Sequence, residues 1–356
     1  MFGSHLRKST RFTQAMRVFL ACSFGTLGLL PGLAHAQQNP RLQPDLFSVS
    51  FPTERDGWAC GRWGRVLHTS DGGTSWARQD TGTGLTLSSV CFVDRQNGWA
   101  VGDRGTIIRT ADGGRSWVKQ ESPVDYFHMD VHFADAETGW IATERTTILH
   151  TADGGKNWRI QFRDEDFILK GISFCDPENG WAVGEYGYIY HTSDGGRTWQ
   201  HQAGEFGYSE ATRDIVGGHF LFDVVAVDPE TAWAVGIDGH VARTVDGGKT
   251  WQAVTDGFPK TQLFGIASDR QGTLVIGGNG TLLISADGGE SFHPIRIHPP
   301  ITYGWVYGIA ARGAGRFVAV GKQGWICHDD GRQHTWSRNG DLAISGPASH
   351  SSRPYH

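Results

Sequence analysis

Apolar and polar residues alternate along this chain in short runs separated by glycine-rich turns. Phe47-Ser48-Val49-Ser50-Phe51, Val90-Cys91-Phe92, Val131-His132-Phe133 and Ile172-Ser173-Phe174 each have the two-residue period of a strand with one buried face. Each is followed by an apolar segment close to Trp-Ala-Val-Gly and then by a third, such as Val66-Leu67-His68-Thr69. A fourth strand starts at a closing aromatic such as Trp76. Short alternating runs bounded by turn residues predict strands throughout and no helical layer.

The runs belong to one repeat, G-W-A-V-G-x-x-G-x-I-x-x-T-x-D-G-G-x-x-W. Copies begin near Gly57, Gly98, Gly139 and Gly180, and a fifth starts at Ala232-Trp233. A sixth spans Leu274 to Phe292 and a weaker seventh Val318 to Trp336. The closing aromatics set the period. Trp76, Trp117, Trp158 and Trp199 stand 41 residues apart, Trp251 follows after 52, Phe292 after 41 and Trp336 after 44. The 11 additional residues before the fifth copy lie within Glu205 to His219.

Four strands per copy at this period describe a propeller blade. Seven copies predict an all-β chain folded as a seven-bladed β-propeller of four-stranded antiparallel blades over residues 45–340. A lone blade cannot bury both faces, so neighbours supply the core, and closure removes open edges. The strands run in order from near Leu46 to near Arg338, which predicts complete blades without strand exchange. Residues 37–44 form a lead-in, with Pro40 to Pro44 within reach of the last blade.

The turn before each closing aromatic, Ser70-Asp71-Gly72-Gly73-Thr74-Ser75-Trp76 in the first copy, is an Asp-box. Its carboxylate is expected to accept backbone N–H groups about two residues on, and its glycines to take positive φ. Asp71, Asp112, Asp153, Asp194, Asp246 and Asp287 are therefore read as structural. They fall on successive blades and cannot form one catalytic centre. The seventh copy has Gly331 in place of the aspartate, so that turn must be held otherwise.

Composition and charge narrow the function. Gly at 50 and Trp at 14 of 356 residues suit many tight turns anchored by large rings. A formal net charge of -5 argues against nucleic-acid binding. No apolar run reaches the roughly 20 residues that would span a bilayer. Residues 1–36 read as a secretory signal: Arg7, Lys8, Arg11 and Arg17, an apolar Val18 to Leu30, and Ala34-His35-Ala36 as the cleavage site. The mature chain is expected in the periplasm or outside the cell, as a monomer or part of a hetero-complex. Cys60, Cys91, Cys175 and Cys327 show no CxxC spacing, so no zinc site is expected. Export permits disulfides, but different strands and faces favour buried thiols. Residues 341–356 read as a flexible tail.

Strand order places the Asp-boxes and the first-to-second turns on one face of the ring. The second-to-third and fourth-to-first connections share the other, where the repeat varies. Its tips are Arg62-Trp63, Asp103-Arg104, Glu144-Arg145, Glu185-Tyr186, Ile237-Asp238, Gly278-Asn279 and Lys322-Gln323. Solvated turn tips are polar in any case, yet the tryptophans favour a binding role. Five belong to second strands and six close boxes, leaving Trp63, Trp305 and Trp325, all on this face. Blades seven and one meet on closure, so these residues, with Tyr303 and Tyr307, predict an aromatic patch at the seam. Arg62, Arg65 and Lys322 edge it, with Arg104 and Arg145 beyond. Aromatics with arginine are the usual substance of protein-binding hot spots.

The full motif resembles that of the photosystem II stability/assembly factor-like family of exported Asp-box propellers. Gly98-Trp99-Ala100-Val101-Gly102 with Asp112-Gly113-Gly114 and Trp117 carries the likeness, as does Gly180-Trp181-Ala182-Val183-Gly184 with its box. It departs at Thr143 and Thr146, where the third copy loses both glycines, and in the seventh copy. The resemblance implies a non-enzymatic factor that helps assemble or stabilise an envelope or membrane complex by binding a protein client. Nothing in the chain indicates photosynthesis itself.

The alternative is a glycoside hydrolase, sialidase-like or xyloglucanase-like, because those enzymes also carry Asp-boxes. Arg62, Arg104 and Arg145 could imitate a carboxylate-binding cluster and Glu185-Tyr186 a nucleophilic pair. Asp130, Glu185 and Asp223 supply acids near the mouth, but on different blades, against the roughly 5 Å that a retaining pair needs. An Arg-Ile-Pro-like opening segment is absent from Gln37 to Phe51, and one propeller is half of a two-propeller cleft. His68, His150, His191 and His328 hold equivalent positions on separate blades and do not converge on a metal. No cofactor motif is present.

Overall fold

The computed structural model describes residues 43–210, 214–301, 304–332 and 335–338. The signal segment 1–36, lead-in residues 37–42, Tyr303 and the tail 341–356 lie outside the described residues. Seven sheets succeed one another, six of them wholly antiparallel and the seventh with one added parallel strand. Blade one consists of Leu46–Ser50, Gly57–Gly61, Val66–Thr69 and Ala77–Gln79, hydrogen-bonded in that order, and blades two to six repeat the order. Each first strand packs against the first strand of the next blade, and that of blade seven, Val306–Gly313, packs against Leu46–Ser50. The first strands therefore surround the axis, and the fourth strands form the solvent-facing rim. The fold is the seven-bladed β-propeller that the repeat predicts.

The core lies between blades and is built by the repeated spacing of rings. Trp58 of blade one stacks on Phe92 of blade two at 3.7 Å between centroids and 8° between planes, and its Nε1 donates to Gly113 O in the Asp-box of blade two at 3.2 Å. Trp99 does the same with Phe133 and Gly154 O, and Trp140 with Phe174 and Gly195 O. The box tryptophan of the receiving blade meets the same phenylalanine edge-on, as Trp117 meets Phe92 at 5.9 Å. Each such phenylalanine is thus held between one indole face and one indole edge. Such pairs add about 0.5–1.5 kcal/mol beyond area burial.

The Asp-boxes are turn hardware, with one difference from expectation. Asp112 Oδ1 accepts from Ser116 N at 2.9 Å and Thr110 Oγ1 at 2.8 Å, and Oδ2 accepts from Ser116 Oγ at 2.6 Å. The backbone donor is four residues on, not two, because Gly113 and Gly114, at φ 74° and 81°, double the chain back. Asp71, Asp153, Asp194, Asp246 and Asp287 repeat the arrangement. Blade seven uses other means. Arg312 donates to Asp329 at 3.0 Å, and Arg296–His298 adds a fifth strand, parallel to Thr335–Arg338.

Ring closure needs no exchanged strand among the described residues. Leu46 and Val49 of blade one pack against Val318, Val320 and Ile326 of blade seven. Asp45 joins the two blades, accepting from Gln323 N at 2.8 Å and Arg62 Nε at 3.0 Å. The additional residues before blade five form a hairpin, Phe206–Ser209 with Asp214–Gly217. The four cysteines described are free thiols; Cys60 and Cys327 are buried and Cys91 and Cys175 half-buried. Burial pushes the Cys91, Cys175 and Cys327 thiols up to about 12.

Candidate functional site

The face opposite the Asp-boxes is organised by its tips. In six tips the first residue donates its N–H to the carbonyl just before its own blade's first strand, as Arg62 does to Asp45 O, Glu144 to Phe127 O and Lys322 to Trp305 O. In blade six Gly278 still belongs to the second strand, so the tip is Asn279-Gly280 instead of Gly278-Asn279, and Asn279 donates to Gln262 O. In six of seven tips the second residue is a non-glycine in the left-handed region: Trp63 at φ 59°, Arg104 at 54°, Arg145 at 60°, Tyr186 at 57°, Asp238 at 56° and Gln323 at 57°. With a left-handed residue following, each reverses the chain in a two-residue turn, for which asparagine or aspartate before glycine is the low-energy choice. Tryptophan and arginine are costly there. Blade three also places the β-branched Thr146 at φ 42°.

The residues singled out in the sequence fall into separate groups on this face. Arg62 is paired with Asp45 and lies 5.5 Å from the Phe47 ring centroid. Arg65 Nη1 donates to Gln43 Oε1 at 2.7 Å, and burial, with Arg78 nearby, lowers its pKa to about 10. Trp63 is 58% exposed. Arg104 is exposed beside its neighbour Asp103, and Arg145 lies over the Tyr126 ring at 4.7 Å. Trp305 and Tyr307 meet edge-on at 5.8 Å, with Lys322 Nζ 5.7 Å from the Trp305 centroid. Trp325 stands apart from that pair. It covers Gly304, packs on the core of blade seven and carries the Arg338 guanidinium at 4.7 Å. The three tryptophans do not stack on one another; Trp305 and Tyr307 instead join rings that the sequence reading passed over.

Those rings are Phe264, 5.7 Å from Trp305 and 5.5 Å from Tyr307, and Phe47, 5.2 Å from Tyr307. The available signal was repeat position. Phe47, Phe264 and Tyr307 each follow the first residue of a first strand. A second aromatic group surrounds the blade-four tip, where Tyr186 meets Phe167, Phe206 and Phe220 at 4.8–5.2 Å. The inserted hairpin thereby packs onto this face.

The acids near the axis are occupied. Asp130 accepts from Ser89 Oγ at 2.7 Å and Ile172 N at 2.9 Å, and Asp223 from Val224 N at 2.8 Å and Ile266 N at 2.9 Å. Glu185 is buried and accepts from Ile168 N at 3.1 Å. Burial raises Asp130 above the usual carboxylate range. Burial, reinforced by the Asp130 charge, pushes Asp223 up to about 8.

The model of the family described as photosynthesis system II assembly factor YCF48 matches residues 79–164, 116–205, 159–255 and 211–344. The chain belongs to this family. A solved structure of YCF48 bound to a D1 peptide superposes with a TM-score of 0.65 at 19% identity, over 81% of this chain and 93% of that one. YCF48 from Cyanidioschyzon merolae gives 0.62 at 18%, over 79% and 94%. The GH74 xyloglucanase from Xanthomonas campestris gives 0.64 at 13%, over 83% of this chain but 55% of the enzyme. At these identities the solved structures share the fold. No curated protein matches the chain. Within the YCF48 family, this member keeps the Asp-box hardware in six of seven blades.

Proposed function

We propose that this YCF48-family propeller is a non-enzymatic assembly or stability factor. In this reading it is exported by its signal segment and holds an envelope or membrane-complex protein through the face opposite the Asp-boxes. Family membership is the observation that carries the reading, and a relative of the same fold has been seen with a bound peptide. The character of the face supports it. Trp63 is held out in a costly left-handed turn with most of its ring in solvent, and Arg104 and Arg145 project from the next two tips. Left-handed strain at bulky side chains clusters where a side chain is needed in one place.

A glycosidase finds less support. Asp130, Asp223 and Glu185 are committed to backbone donors, and Arg62, Arg104 and Arg145 each lie against a partner of their own blade or of the connection entering it. The test compares capture of envelope proteins by wild type and by the Arg62→Ala, Trp63→Ala double variant. Loss of wild-type partners with an unchanged circular dichroism spectrum is expected. Capture of the same partners in the same amounts would refute the reading, as would hydrolysis of fluorogenic glycosides that disappears in Glu185→Ala.

A further inference from the structure

Every first strand begins with the same irregularity. Its pairing with the second strand skips one residue, as between Leu46 and Ser48 or Leu263 and Gly265. In blades two, three and four the skipped residues are Ser88, Met129 and Lys170. In blades five, six, seven and one they are Phe222, Phe264, Tyr307 and Phe47. A bulged residue leaves the ladder and is re-aimed by the local twist, and such positions recur beside functional sites. The repeat does not demand an aromatic here. Ser88 fills the position in blade two with its hydroxyl donating to Val101 O and His128 O.

The four aromatics are nonetheless consecutive around the ring and touch in series: Phe222 to Phe264 at 5.2 Å, Phe264 to Tyr307 at 5.5 Å, Tyr307 to Phe47 at 5.2 Å. Their planes are inclined at 43°, 48° and 68°, so they line a curved wall, not a flat platform. Phe47 and Tyr307 are buried, whereas Phe222, Phe264 and Trp305 remain half-exposed. Cations lie at the ring faces toward the seam, Arg62 over Phe47 and Lys322 over Trp305.

We propose that this arc at the axial mouth is a binding cup for an extended peptide segment of the client, one that carries a large apolar side chain beside a carboxylate. The inference rests on the client-binding reading above and names what the client presents. Half-exposed phenylalanines gain by covering apolar surface. Arg62 is already paired with Asp45, so Lys322 is the seam cation that complements a carboxylate and disfavours a basic segment. A sugar fits less well, since the phenylalanines offer its hydroxyls no partner and unpaired buried hydroxyls are costly.

The experiment titrates the full chain with two fluorescein-labelled hexapeptides that differ only in leucine or serine before a pair of aspartates, read by anisotropy. The leucine peptide is expected to bind at least tenfold more tightly. Phe264→Ser and Phe222→Ser should each weaken it at least fivefold and leave the serine peptide unchanged. Serine is the residue that blade two already carries, and Phe222→Ser at the end of the arc decides the matter if Phe264→Ser does not fold. Equal affinity for the two peptides, no binding of either, or a leucine preference retained in Phe222→Ser would overturn the proposal. So would displacement of the leucine peptide by a neutral xyloglucan oligosaccharide that the serine variants no longer bind. Client capture that persists while the leucine preference is absent overturns the cup alone. A leucine preference that survives failure of the capture test overturns the seam reading alone.

Discussion

Trp63 is unfavourable where it stands on two counts, its positive φ and its exposed ring. A left-handed conformation costs a non-glycine residue about 1 kcal/mol or more. Asparagine is the residue a two-residue reversal before glycine prefers. Trp63→Asn should therefore stabilise the chain by about 0.5–1 kcal/mol in urea unfolding and weaken client capture. A tryptophan that merely plugged the structure would give the opposite sign. The sequence singled out Trp63 because it broke the repeat, and that reason was sound about its place. It said nothing of the φ angle, which the turn decides.

At the scale of the element, the blade-to-blade connection runs through the second-strand tryptophan. Trp99 is fully buried, stacks on Phe133 and donates to Gly154 O at 3.0 Å. Trp99→Phe keeps a ring on Phe133 but removes that donor and leaves unfilled space. A loss of about 2–3 kcal/mol is expected from equilibrium unfolding, with no change in peptide affinity, because the lock lies toward the Asp-box face. The four strands of a blade were legible from alternation and glycine spacing, since both follow from local chemistry. The fifth strand of the last sheet was not. Arg296–His298 alternates, with Ile297 buried between two exposed residues, but it is only three residues long, lies outside the repeat, and is held as a strand by the open edge of Thr335–Arg338. The lock was likewise invisible, as its acceptor lies 55 residues away in sequence.

For the molecule as a whole, carboxylates near the axis tie first strands of different blades together. Asp223 accepts from Ile266 N in the next blade, and burial with the Asp130 charge pushes it up to about 8. The folded chain thus holds a proton that an unfolded carboxyl, near about 4, gives up. Stability from this site is complete below about pH 4 and is lost as pH rises through 8. The Asp-box carboxylates run the other way. Asp112 and Asp153 are held down to about 2 by hydrogen bonds from Ser116 and Asn157, so their contribution is present above about pH 4 and is lost as pH falls toward 2. Asp223→Asn should flatten the decline in the urea midpoint between pH 4 and 8 and leave the acid limb unchanged. An unaltered profile would place that decline elsewhere.

The repeat by itself determined the architecture: seven copies, four strands each, boxes on one face and variable tips on the other. Those features depend on residues near one another in the chain, and periodicity exposes them. The tertiary structure decided which tips and rings meet. Tyr307 was legible as an aromatic that breaks the pattern. That it continues a wall through Phe264, Phe222 and Phe47 was not, because those residues are up to 260 positions apart and come together only when the ring closes. The tertiary structure also separated Trp325 from Trp305, which share a face but pack on different neighbours.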